Sequence, residues 1–180
     1  MSHGHDVGHA NTPEQKRIGI FVSVLAVLMA VTAFFANQSA NEMLVGQVES
    51  SNGFSWYQAK RQRSYANELE LKRIEVLLAG TVSAEQKTIL EGWRERLSAK
   101  NAEYEKENQE IQDNAKATKA RAEIASHRHH RFEYAEICFH VAVVLCSLTL
   151  LTQSSGYFGL GALLTFAGVG IVVWALVASH

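Results

Sequence analysis

Proline, cysteine and recognisable catalytic motifs are scarce or missing in this sequence, and charge is missing from long parts of it. The only proline is Pro13, near the amino terminus. No proline therefore interrupts the helical patterns that follow. There are two cysteines, Cys138 and Cys146, eight positions apart. On one helix that spacing separates them by roughly 12 Å, too far to pair with each other. They read as buried apolar fillers. G-x-S-x-G, a phosphate-binding glycine loop, H-E-x-x-H and C-x-x-C are all absent. No nucleophile can be nominated, and the reading is of a non-enzymatic chain with no cofactor.

The averages are those of an ordinary soluble protein, with a mean hydropathy of -0.06 and a formal net charge of -1. The distribution is different. Residues 18–36 carry no charge, and residues 137–178 carry none apart from His140. An uncharged run of about 18 or more apolar residues is long enough to cross a bilayer as a helix. Three transmembrane helices are predicted, at 18–36, 134–152 and 157–178, with "TQSSGY" as the tight link between the last two. Lys16 and Arg17 would suit a signal peptide, but the apolar run is too long and "FFANQSAN" holds no small-x-small cleavage site. The first span reads as an uncleaved anchor.

Residues 1–17 are predicted to be a mobile His-rich tail. Thr12 would cap the first helix and Pro13 would occupy its first position. His3, His5 and His9 lie near Asp6 there, a weak and unselective metal-binding composition.

Almost a hundred polar residues separate the first two spans. "SYANELELKRIEVLLAG" has helix-forming composition, and Gly80 stops it. Ser83 with Gln86 three places on is a capping-box start for the next helix. That helix repeats an apolar position every seven residues, at Leu90, Leu97, Tyr104, Ile111, Thr118 and Ala125. The alternate positions Arg94, Asn101, Asn108, Ala115 and Ala122 are polar or small. So thin a seam needs a partner, and a turn at 80–83 supplies one in antiparallel register. Residues 37–133 are thus expected to form a helical-hairpin, coiled-coil stalk. Its second arm is longer by about seven residues, or roughly 10 Å. The Asn-Gly pair within "ESSNGFS" is the natural place for a kink or unwound stretch at 50–54.

The run "ANQSANEMLVGQVESSNGFSWYQAKRQR", with "HHRFEYAEICFHVAVVLCSLTLLT" far downstream, resembles the bacterial membrane proteins grouped under domain of unknown function 4337. The likeness covers about three quarters of the chain, and "WYQAK" is its most specific phrase. It implies one membrane helix, a charged helical stretch and a terminal pair of membrane helices. It implies no reaction.

One stretch invites a chemical reading. In "SHRHHRFEYAEICFH", residues 126–140, His129, Glu133, Glu136 and His140 fall on one helical stripe. Imidazoles and carboxylates at that spacing are ligand types for a transition metal. Four groups over eleven residues span about 16 Å, so only a neighbouring pair with ligands from elsewhere would close a site. The simpler reading takes Arg128, Arg131 and Tyr134 as interfacial anchors and the stripe as polar packing. Asn37, Gln38, Asn41 and Glu42 end the first span at the same face. Asn37 or Asn41 is expected to pair with Glu136 or His140. In an oligomer, Asn37, Asn41, Glu42, Glu136 and His140 would form a polar ring at a pore mouth.

"FSWYQAKRQRSY" is expected to pack its aromatics on Ala115–Ala125 rather than bind nucleic acid, for which the chain lacks a broad basic surface. Small-residue stripes at Ser23, Ala26, Ala30, Ala33 and Asn37, and at Gly161, Thr165 and Gly168, suit close helix approach.

The sequence thus predicts an all-α integral membrane protein with three spans and a helical-hairpin stalk. Its role is that of a self-assembling scaffold or accessory subunit of a bacterial inner membrane, with the lipid bilayer, further copies of itself or a larger membrane complex as partners. The alternatives are an oligomeric ion or proton channel and a metal-handling membrane protein. Lys16 and Arg17 favour a stalk on the non-cytoplasmic side, whereas Lys116, Lys119, Arg121, Arg128 and Arg131 before the second span pull the opposite way. The first pair carries more weight because loops longer than about 60 residues largely escape the charge rule.

Overall fold

The computed structural model describes residues 13–178 as three helices: α1 (Pro13–Ala79), α2 (Ala84–Thr152) and α3 (Ser155–Val177). No strand occurs among the described residues. Residues 1–12, with His3, His5, Asp6, His9 and the Thr12 cap, lie outside them. Each helix holds an 18-residue stretch apolar enough, and the helix is long enough, to cross a membrane.

The helix ends follow from local chemistry. α1 opens on Pro13, whose missing N–H is harmless at a first helical position. It closes where the Gly80 N–H donates to the Leu77 carbonyl at 3.1 Å. α2 starts with the capping box read from the sequence. The Ser83 N–H donates to Gln86 Oε1 at 3.0 Å, and the Gln86 N–H donates to Ser83 Oγ at 3.2 Å. Gln153 takes φ 56°, a left-handed residue that ends α2 and turns the chain into α3. α3 therefore begins at Ser155, two residues before the position that hydropathy marks.

The described residues divide into two compact units, one made of residues 13–42 together with 124–178, the other Met43–Glu123. In the first unit Leu25, Ala135, Phe139, Ala142 and Cys146 are wholly buried. Phe21 meets Phe158 edge to face at 5.2 Å. The Gly161–Thr165–Gly168 stripe of α3 packs on α2: a Cβ at Gly168 would lie 2.6 Å from the Phe139 ring, and one at Gly161 3.2 Å from the Ala142 carbonyl. The stripe expected on α1 is placed differently. Ser23, Ala26, Ala30 and Asn37 are exposed, and α1 buries Ile18, Leu25, Thr32 and Ser39 instead. Those four recur every seven residues, the period that keeps one seam facing a partner helix.

In the second unit, α1 and α2 residues meet in rising against falling order. Gly46 meets Ala122, Gly53 meets Ala115, Lys60 pairs with Glu107, and Ser64 meets Asn101. Ser50 Oγ donates to the Ala115 carbonyl at 3.1 Å, and Ser64 Oγ donates to Asn101 Oδ1 at 2.8 Å. The most buried α2 positions here are Asn108, Ala115 and Ala122, whereas Leu90, Leu97, Tyr104, Ile111 and Thr118 are half-buried.

Two expectations for this unit are corrected. No unwound stretch occurs at 50–54, where α1 is continuous helix. The Asn-Gly signal has another cause, because a Cβ at Gly53 would lie 2.9 Å from Ala115 Cβ. Gly53 is there for close approach and not for a break. Nor is length taken up: from Ser50 to Ser64 α1 advances by as many residues as α2 retreats from Ala115 to Asn101. The aromatics, moreover, do not fill the alanine stretch. Trp56 is 65% exposed and Phe54 half-buried, while Gly46, Ser50 and Gly53 occupy the space beside Ala122 and Ala115. The packing is small against small.

Candidate functional site

The residues singled out in the sequence cluster in the first unit, where α1 residues 36–42 run beside α2 residues 128–140. The seven-residue seam sets which of them face inward. Ala36 and Ser39 of α1, and Phe132 and Ala135 of α2, are buried. Phe35 stacks on Phe132 with ring centroids 5.9 Å apart. Polar groups flank this apolar contact and bridge the helices. Arg128 Nε donates to Ser39 Oγ at 3.0 Å, and the same guanidinium pairs with Glu42. His129 Nδ1 donates to the Ala36 carbonyl at 3.0 Å.

The expected stripe is only partly brought together. His129 Nε2 faces Glu133 Oε1 at 3.3 Å, and the other carboxylate oxygen of Glu133 accepts from His130 Nδ1 at 2.9 Å. The hydrogen bond from His130, with the adjacent His129, holds the Glu133 carboxyl below the usual carboxylate range. His140 is set apart: its Nδ1 donates to the Glu136 carbonyl at 2.8 Å, within its own helix. The Glu136 side chain is half-buried. With Nδ1 of both histidines committed to carbonyls, each offers one ring nitrogen, about 16 Å apart along the helix. Among the described residues no three His, Cys, Asp or Glu side chains converge on a metal-sized site.

The expected pairing of Asn37 or Asn41 with Glu136 or His140 does not form among the described residues. Both asparagines are exposed, as their places beside the seam dictate. Ser39 and Glu42 take that role, with Arg128 as partner. Sequence reading placed Arg128 only as an anchor. The missed signal was the seven-residue series running on from Ala125 to Phe132, Phe139 and Cys146, which fixes the phase of α2 against α1. A second missed contact is Arg131, whose guanidinium lies over the Trp174 ring of α3 at 4.1 Å from its centroid. Chemically, the cluster offers interhelical hydrogen bonds and charge pairs.

Among the described residues the chain is all-helical, with three segments long and apolar enough to cross a membrane and polar bridges clustered near the ends of two of them, which is consistent with a membrane protein. The family model described as Domain of unknown function (DUF4337) matches residues 14–178, and the chain belongs to that family. No curated protein and no solved structure matches it.

Proposed function

We propose that the protein is a non-enzymatic membrane scaffold or accessory subunit that assembles with further copies of itself. Its three apolar segments cross a bilayer, and residues 37–133 form an antiparallel coiled-coil stalk. The observation that carries this reading is His140. It lies six residues inside the second predicted span, yet its side chain is exposed on the single chain. Its Nε2 has no partner among the described residues. A polar nitrogen facing hydrocarbon about 9 Å from the membrane edge is costly, and a neighbouring copy would supply what it lacks. The exposed face of Ser23, Ala26 and Ala30 supports the same reading, because small residues allow close approach between helices of different copies. Lys16 and Arg17 favour a stalk outside the cytoplasm, as in a bacterial inner membrane.

A His140→Cys variant with Cys138 and Cys146 changed to Ser tests this contact. Oxidation in lipid is expected to give a disulfide-linked dimer. A chain that stays uncrosslinked while its helical content is intact removes His140 from the interface. Conductance across reconstituted bilayers that is lost with Glu136→Gln would replace the scaffold reading with the channel.

A further inference from the structure

We propose that Arg131, stacked on Trp174, forms a binding site for the phosphate of an anionic phospholipid headgroup. This rests on the reading that the apolar segments cross a bilayer and goes beyond it by naming a lipid class and the residues that select it.

Several charged side chains at this boundary are already paired. Arg128 is already used, by Ser39 and by Glu42. Glu133 is used by His129 and His130. Arg131 is different: no carboxylate, carbonyl or hydroxyl among the described residues accepts from it, and its guanidinium lies over the Trp174 ring, 4.1 Å from the centroid. Its nearest carboxylates on α2, Glu133 and Glu136, do not pair with it. A guanidinium held over an indole is fixed in place by its face, and its N–H groups around the rim stay open. That planar fork matches two oxygens of one phosphate.

The surroundings fit a headgroup. Arg131 stands three residues before the second predicted span, and Trp174 four residues from the end of the third. Both therefore mark the same membrane face. Trp174 is 57% and Tyr134 61% exposed. Such aromatics settle at the headgroup level. Tyr134, one turn beyond Arg131, presents a hydroxyl on the same outer side, and His127, one turn before, an exposed imidazole. Basic pockets between membrane helices bind anionic headgroups. Here α2 supplies the guanidinium and α3 the indole on which it stacks.

The test uses the full chain with Trp56→Phe and Trp93→Phe, so that Trp174 is the only tryptophan and can be excited apart from the tyrosines. It is reconstituted in phosphatidylcholine vesicles with increasing phosphatidylglycerol. Trp174 emission is expected to shift saturably with phosphatidylglycerol, and native mass spectrometry should show that lipid retained over phosphatidylcholine. Arg131→Gln should lower the preference roughly fivefold, equivalent to ~1 kcal/mol. Arg131→Lys, which keeps the charge without the fork, should fall between, with helical content unchanged in both. Equal retention of the two lipids, or an unchanged preference in Arg131→Gln, overturns the proposal and leaves the membrane reading intact. The same shift with inorganic phosphate alone overturns the lipid source. A chain that enters neither vesicle type overturns the membrane reading as well.

Discussion

Lys60 and Gly168 show how much single positions carry in a chain with so few large buried side chains. Lys60 occupies an inward position of α1, its side chain only 17% exposed, and pairs with Glu107. The hydrogen bond from Lys60 holds the Glu107 carboxyl below its ordinary value. A depressed carboxyl contributes stability that is present above its unfolded pKa and lost as pH falls through its folded one. The thermal midpoint should therefore drop as pH is lowered through the carboxylate range. Glu107→Gln should lower the midpoint at neutral pH and flatten that slope; an unchanged slope would show that the pair is idle. Gly168 sets two effects against each other. Alanine gains about 1 kcal/mol of helix propensity over glycine. Its Cβ, however, would lie 2.6 Å from the ring of Phe139, which is 0% exposed. Overpacking of that kind typically costs ~1–3 kcal/mol. Gly168→Ala is expected to destabilise, read as a lower midpoint in thermal unfolding in detergent.

At the scale of elements, the ends of the helices were legible because they rest on local chemistry: Pro13, the Ser83–Gln86 box and the turn at Gly80. The seven-residue period of α2 is legible in the sequence, but Leu90, Leu97, Tyr104 and Ile111 are half-buried and the deepest positions are the small or polar Asn108, Ala115 and Ala122. The matching seam of α1 was hidden. Its inward positions in the second unit include Gly46, Ser50, Gly53, Lys60 and Ser64, which a search for apolar periodicity passes over. The same blindness turned Asn52–Gly53 into an expected kink, since a glycine needed for close approach and a glycine that breaks a helix look alike in one sequence. The boundary cluster was half legible. The sequence brings out His129 and Glu133, but it favours Asn37 and Asn41 over Ser39 because it does not reveal the phase of α1. Gly53→Ala separates the two readings of that glycine. If Gly53 were a break, alanine would stabilise by about 1 kcal/mol. Contact with Ala115 predicts destabilisation instead. Adding Ala115→Gly should make the double variant less destabilised than the sum of the singles, by roughly 0.5–3 kcal/mol. Additive effects would refute the contact.

At the scale of the whole molecule, the membrane-length segments and the family membership account for the design, and what remains exposed supports assembly. Leu69 and Val76, seven residues apart in the charged part of α1, are 64% and 73% exposed. Ser23, Ala26 and Ala30 are exposed on the same helix within the first predicted span, and His140 within the second. A chain working alone would leave small and polar groups facing lipid, and aliphatic groups facing water. A chain working in copies covers both kinds. The most direct measurement is the native mass of the protein released from lipid nanodiscs without an affinity tag. The account predicts a defined multiple of the 19.9 kDa chain, reduced towards one copy by His140→Leu. A strict monomer from wild-type protein, across lipid compositions and concentrations, would contradict it.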